Sequence, residues 1–134
     1  MLFELSAKHL FKGQFDAQFT NIFKLNYMDT SGRVVASIPT TQANSVSYLT
    51  SLIDEINAFS CVSNFSFTSI PKILGVSLSL NVNVSDPNTQ ASELLVVSEI
   101  TNKTDTLIFL DCQIFDKESN RLIATGTHIK YIGF

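Results

Sequence analysis

The chain reads as an α+β domain: one antiparallel sheet of about six strands wrapped around a single long central helix. Three observations predict this. Val76, Leu78, Leu80, Val82 and Val84 alternate with Ser77, Ser79, Asn81, Asn83 and Ser85, the two-residue period of a half-buried strand. Val46, Leu49, Leu52, Ile53, Ile56, Phe59 and Ser60 recur at helical spacing, and no other stretch does so as strongly. Four strand-like runs joined by short turns follow that helix, the order expected of one sheet curled round one helix.

Taken from the start, residues 2–12 fit a short helix ended by Gly13, because Leu2, Phe3, Leu5, Leu10 and Phe11 do not alternate. Residues 15–27 then read as a long half-buried strand with Phe15, Ala17, Phe19, Phe23, Leu25 and Tyr27 on its apolar face. Asp29, Thr30, Ser31 and Gly32 are turn residues, and Val34 to Ile38 supply the partner strand of a hairpin that stops at Pro39. Asn44 or Ser45 is placed to cap the helix, which runs to about residue 60. A Ser, Asn and Phe stretch to Pro71 has no period and reads as a loop. After the clean strand at 76–84, Asp86, Pro87 and Asn88 turn the chain into strands at 92–101, 106–115 and 121–132, with turns at 102–105 and 116–120.

With 134 residues the chain suits one domain spanning 1–134. Its net charge of −3, and nine Lys and Arg scattered along the sequence, leave no basic footprint for nucleic acid. Glu4, Lys8, His9 and Lys12 interrupt any signal-peptide core, and no run approaches the ~18 apolar residues of a membrane span. An intracellular protein, cytoplasmic or mitochondrial, is the expectation. Cys61 and Cys112 have no motif spacing and read as small buried hydrophobes. One helix covers one face of so large a sheet, so a homodimer or homotetramer is expected to cover what is left. His9 and His128 have no partner at ligand spacing, so no metal is expected. His128 reads as a sheet-face residue near Lys130 and not as a base.

Three stretches give this pattern a family likeness. Leu52-Ile53-Asp54-Glu55 lies late in the helix, Gly75-Val76-Ser77 opens the clean strand, and Leu122 to Tyr131 reads Leu-Ile-Ala-Thr-Gly-Thr-His-Ile-Lys-Tyr. On these residues the chain resembles the small PaaI-type acyl-CoA thioesterases of the hotdog fold. The resemblance implies an acyl-CoA substrate, no separate cofactor, and a site between subunits. Asp54 would be its general base and Ser77, from the facing subunit, its assisting serine. The backbone amide at Val46 would hold the thioester oxygen, since a helix N-terminus favours an oxyanion. Asn44 would stand in for an upstream asparagine. CoA would meet Asn102, Lys103 and Thr104 in one turn, and Tyr131.

The family's His-Gly-Gly at the helix start is replaced by Ser45-Val46-Ser47. An amide needs no side chain, yet a β-branched residue crowds an approach that glycine leaves open. The alternative reading is therefore a catalytically inactive hotdog scaffold, or an acyl- or CoA-binding subunit of a larger assembly. Residue by residue, Asp54 also fits a solvated helix position, and Ser77 a polar sheet face shared with Ser79 and Asn81.

Overall fold

The structure, a computed structural model, describes residues 23–64 and 76–133. Strands β1 (Lys24–Met28) and β2 (Val34–Pro39) form the hairpin, followed by helix α1 (Val46–Asn64). Then come β3 (Val76–Val84), β4 (Glu93–Lys103), β5 (Leu107–Asp116) and β6 (Leu122–Tyr131). They make one six-stranded antiparallel sheet in the order β1-β2-β4-β5-β6-β3. The expected architecture is thus met. The helix foreseen at 2–12, the strand residues before 23 and the loop from 65 to 71 lie outside the described residues.

Ser45 caps α1, its hydroxyl accepting the Tyr48 amide at 3.3 Å. The helix runs four residues beyond the expected end, and Cys61 and Val62 are buried with the rest of the core. Leu49, Leu52, Ile53 and Ile56 pack on a sheet face made by Val34, Ala36, Leu94, Val96, Ile108, Leu110 and Ile114. Val46, expected on that apolar stripe, is instead 56% exposed at the helix start. Where α1 crosses β6, a Cβ on Gly126 would lie only 3.0 Å from Ile53 Cδ1 and Cγ2. Glycine there lets the helix approach β6 closely, which matters for the residue two places on, His128.

Four of the strand pairings slip register, and two of the slips change how a strand's faces read. In β1 the pairing slips between Leu25 and Tyr27, so Tyr27 turns out to solvent and Met28 packs on the core. In β3 it slips between Ser77 and Ser79. Leu80 faces His128 and Val82 faces Gly126, whereas Ser77 faces Lys130 across the extra residue Leu78. Directly paired residues share a sheet face, so Ser77 lies on the helix side with Leu80 and His128. It does not share a face with Ser79 and Asn81, as unbroken alternation required. The same slip leaves Val76 51% and Leu78 60% exposed on an edge strand. The middle of the opposite sheet face, by contrast, is polar, with Glu99, Asp111, Gln113, Thr125 and Thr127 lining a shallow hollow. Among the described residues the exposed large apolar side chains of the closing strands thus lie on the β3 edge and not on the open face.

Candidate functional site

His128 is the centre of the site. It is 1% exposed on β6, beneath the helix where Gly126 admits it. Its Nε2 lies 2.7 Å from the Ser77 hydroxyl and 3.8 Å from Asp54 Oδ1, and its Nδ1 lies 3.1 Å from Asn57 Oδ1. Asp54 and Asn57 are three apart on one helix, so both reach the same ring. Ser77 reaches it only because of the bulge at Leu78. Asp54 and Ser77 of the same chain thus converge on one histidine.

Burial, joined by the Lys130 ammonium and opposed by the Asp54 carboxylate, pushes the His128 ring down to about 4. The ring is therefore neutral at pH 7 and can accept the Ser77 proton at Nε2. Asp54 keeps its side chain 54% exposed, whereas the ring beside it is buried. A carboxylate open to an incoming molecule, beside a hydroxyl held by a neutral imidazole, can activate and orient a water.

The neutral ring has a stability consequence. An unfolded histidine takes its proton near pH 6.5, whereas the folded ring holds off until about pH 4. Between those values the unfolded chain binds more protons, so stability falls as pH drops through that window, by on the order of 3 kcal/mol. Urea titrations at pH 7 and pH 4.5 should show His128→Gln losing less stability than the unmodified chain. Equal losses would contradict a neutral buried ring.

The remaining candidates divide between the two ends of α1. Val46 and Asn44 are both exposed at its N-terminal end, with Asn44 in a shallow hollow beside Thr89 to Ser92. Helical rise puts Val46 ~12 Å from Asp54. Asn102, Lys103, Thr104 and Tyr131 lie towards the other end. Asn102 Oδ1 accepts the Lys103 amide at 2.8 Å, and Thr104 Oγ1 accepts the Leu107 amide at 3.0 Å, so both shape the turn. Lys103 Nζ donates to Asn64 Oδ1 at the helix end, 3.0 Å away, and remains exposed. Tyr131 pairs with Val76 beside Ser77, and its hydroxyl donates to the Gly133 carbonyl.

Three side chains of one hydrogen-bonded row, His128, Asn57 and Ser98, escape a sequence reading. His128 was taken for a plain sheet residue because its partners come from α1 and β3, far away in sequence. Asn57 and Ser98 belong to no motif, although a polar residue inside each apolar run is a usable signal. Cys61 and Cys112 are both buried and free, as read, and burial pushes both thiols up, Cys61 to about 11.

No protein-family model matches the chain. Mouse (Mus musculus) acyl-coenzyme A thioesterase 13 is 30% identical over 59 residues, which make 44% of this chain and 42% of that relative, so the match spans less than half of either. Among solved structures, thioesterase superfamily member 2 of Mus musculus superposes with a TM-score of 0.78 at 17% identity, covering 98% of this chain and 96% of that one. A hypothetical thioesterase from Streptococcus pneumoniae, solved with coenzyme A, gives 0.75 at 18% identity over 93% and 95%. The fold is the hotdog fold of these thioesterase superfamily structures, as the resemblance implied.

Proposed function

We propose that the chain hydrolyses acyl-CoA thioesters to free fatty acid and CoA, at a site shared between two copies. The observation that carries this is the convergence of Asp54 and Ser77 on a neutral, buried His128. Ser77 donates its proton to Nε2, which leaves its oxygen lone pairs to receive a water. Asp54 takes that water's proton as the oxygen attacks the thioester carbonyl. The resulting oxyanion is received by the Val46 amide at a helix start, where the helix dipole favours negative charge. On collapse the C–S bond breaks, and the proton held by Asp54 passes to the leaving CoA thiolate.

The distance of ~12 Å between Val46 and Asp54 along α1 is too long for one carbonyl carbon to serve both within a chain. A second copy resolves it by presenting its own helix start to this Asp54, in a homodimer or homotetramer. The exposed Val76 and Leu78 on the edge strand support such pairing. Lys103 and Tyr131 lie on the Ser77 end of the sheet, where the nucleotide portion of CoA would run, and Asn102 and Thr104 shape the turn that carries Lys103. A hotdog neighbour solved with coenzyme A supports that ligand class. No helix among the described residues is long and apolar enough to cross a membrane.

Thiol release from acyl-CoAs of graded chain length tests the proposal. Turnover above the uncatalysed rate for at least one chain length is expected. A CoA-dependent thermal shift with no turnover on any of them would favour the binding-subunit alternative, for which the exposed β-branched Val46 at the helix start is the physical argument.

A further inference from the structure

Behind His128 lies a row of polar side chains that the proposed chemistry does not yet use. Asn57, Ser60 and Ser98 are each 0% exposed. The Asn57 amide nitrogen donates to Ser98 Oγ at 2.7 Å, and Ser98 Oγ meets Ser60 Oγ at 2.6 Å. Around them the core is apolar, with Ile53, Ile56, Val96 and Leu110 all buried. Polar groups sealed from water cost stability unless each finds a partner, and packing alone would be served as well by apolar residues. The row ends on one group outside itself: Asn57 Oδ1 at the Nδ1 of His128.

We propose that Asn57, held in orientation by Ser98 and Ser60, is a positioning residue that fixes His128 in the Nδ1–H tautomer. With the amide nitrogen engaged by Ser98, the face turned to the ring is a carbonyl, which can only accept. Nδ1 must then carry the single proton of the neutral ring, and Nε2 presents a lone pair. Neutral imidazole in water prefers the opposite tautomer, so the site imposes its choice through this contact. In the opposite tautomer the Nε2 proton would point at Ser77 and Asp54, occupying the acceptors that a water needs. The catalytic consequence rests on the thioesterase reading, whereas the tautomer does not.

The test is long-range proton–nitrogen NMR of 15N-labelled protein at pH 7, with His128→Gln identifying the ring against His9. The unmodified chain should show His128 protonated at Nδ1. Asn57→Leu should move it towards Nε2–H, while Asn57→Asp, which keeps an acceptor, should retain Nδ1–H. An Nε2–H ring in the unmodified chain, or an Nδ1–H ring that persists in Asn57→Leu, overturns the proposal. Should Asn57→Leu not fold, Ser98→Ala frees the amide nitrogen and is expected to give mixed tautomers. A pure Nδ1–H ring in Ser98→Ala would deny the serine pair its role.

In turnover assays Asn57→Leu should lower kcat by about 10- to 100-fold with KM unchanged, and Asn57→Asp should recover most of it. A tautomer that moves as expected in a protein with no thioesterase activity would sink the enzymatic reading alone. Activity indifferent to the tautomer would sink the positioning role alone.

Discussion

Replacing Asp54 with asparagine is expected to cut acyl-CoA turnover by about 10²- to 10⁴-fold, the range for losing a positioned general base. The substitution keeps size and hydrogen-bonding shape but removes the proton acceptor. It should leave the fold intact, because the side chain is 54% exposed and its polar neighbour is His128 Nε2, 3.8 Å away. Substitutions at open surface positions commonly stay within about 0.5 kcal/mol in stability. The loss should appear in kcat, with KM for acyl-CoA little changed, since Asp54 acts on water and not on the CoA moiety. Steady-state kinetics beside a thermal melt checks both halves. Undiminished turnover removes Asp54 from the mechanism. A fall in turnover matched by a collapsed melt would make the residue structural.

Why the sequence led to Asp54 but not to His128 has a physical answer. Period is a local property, and it identified α1 and the four closing strands wherever each element keeps one phase. A bulge changes phase without changing composition. The valine, leucine and serine alternation from 76 to 84 looks faultless as text, yet the extra residue at Leu78 moves Ser77 to the other face. The family likeness singled out Ser77, which the structure brings to His128, whereas the pattern alone put it among polar surface residues. His128 was a matter of reach: its partners Asn57, Asp54 and Ser77 are brought by a helix and an edge strand that pair with β6 only in three dimensions. Gly126, quoted in the closing motif without a reason, turns out to be the point where Ile53 presses on β6. Of the residues that the likeness assigned to CoA, Asn102 and Thr104 have local turn roles that the sequence already suggested, and Lys103 is held by Asn64 through a contact the sequence could not show.

Val46→Pro is the sharpest test of where the oxyanion is held. The first amides of a helix have no intrahelical carbonyl to bond, and proline is well accommodated at the first helical position. The preceding residue, Ser45, is the cap, a position normally extended and therefore compatible with a following proline. The variant should thus melt close to the unmodified protein while losing the one N–H assigned to the oxyanion. Removal of such a donor costs about 10²- to 10³-fold in kcat. An unchanged rate would mean that Val46 holds nothing. Mixing then decides which copy supplies which group. Co-expressed Val46→Pro and Asp54→Asn chains, each inactive alone, form a mixed dimer in which one site unites an intact Val46 amide with an intact Asp54 from the other copy. With random pairing, half the dimers are mixed and one of two sites in each is whole, so about a quarter of the unmodified activity should return. If both groups instead served a single carbonyl within one chain, every site in every dimer would carry a defect and nothing would return. The separation of ~12 Å along one helix favours recovery.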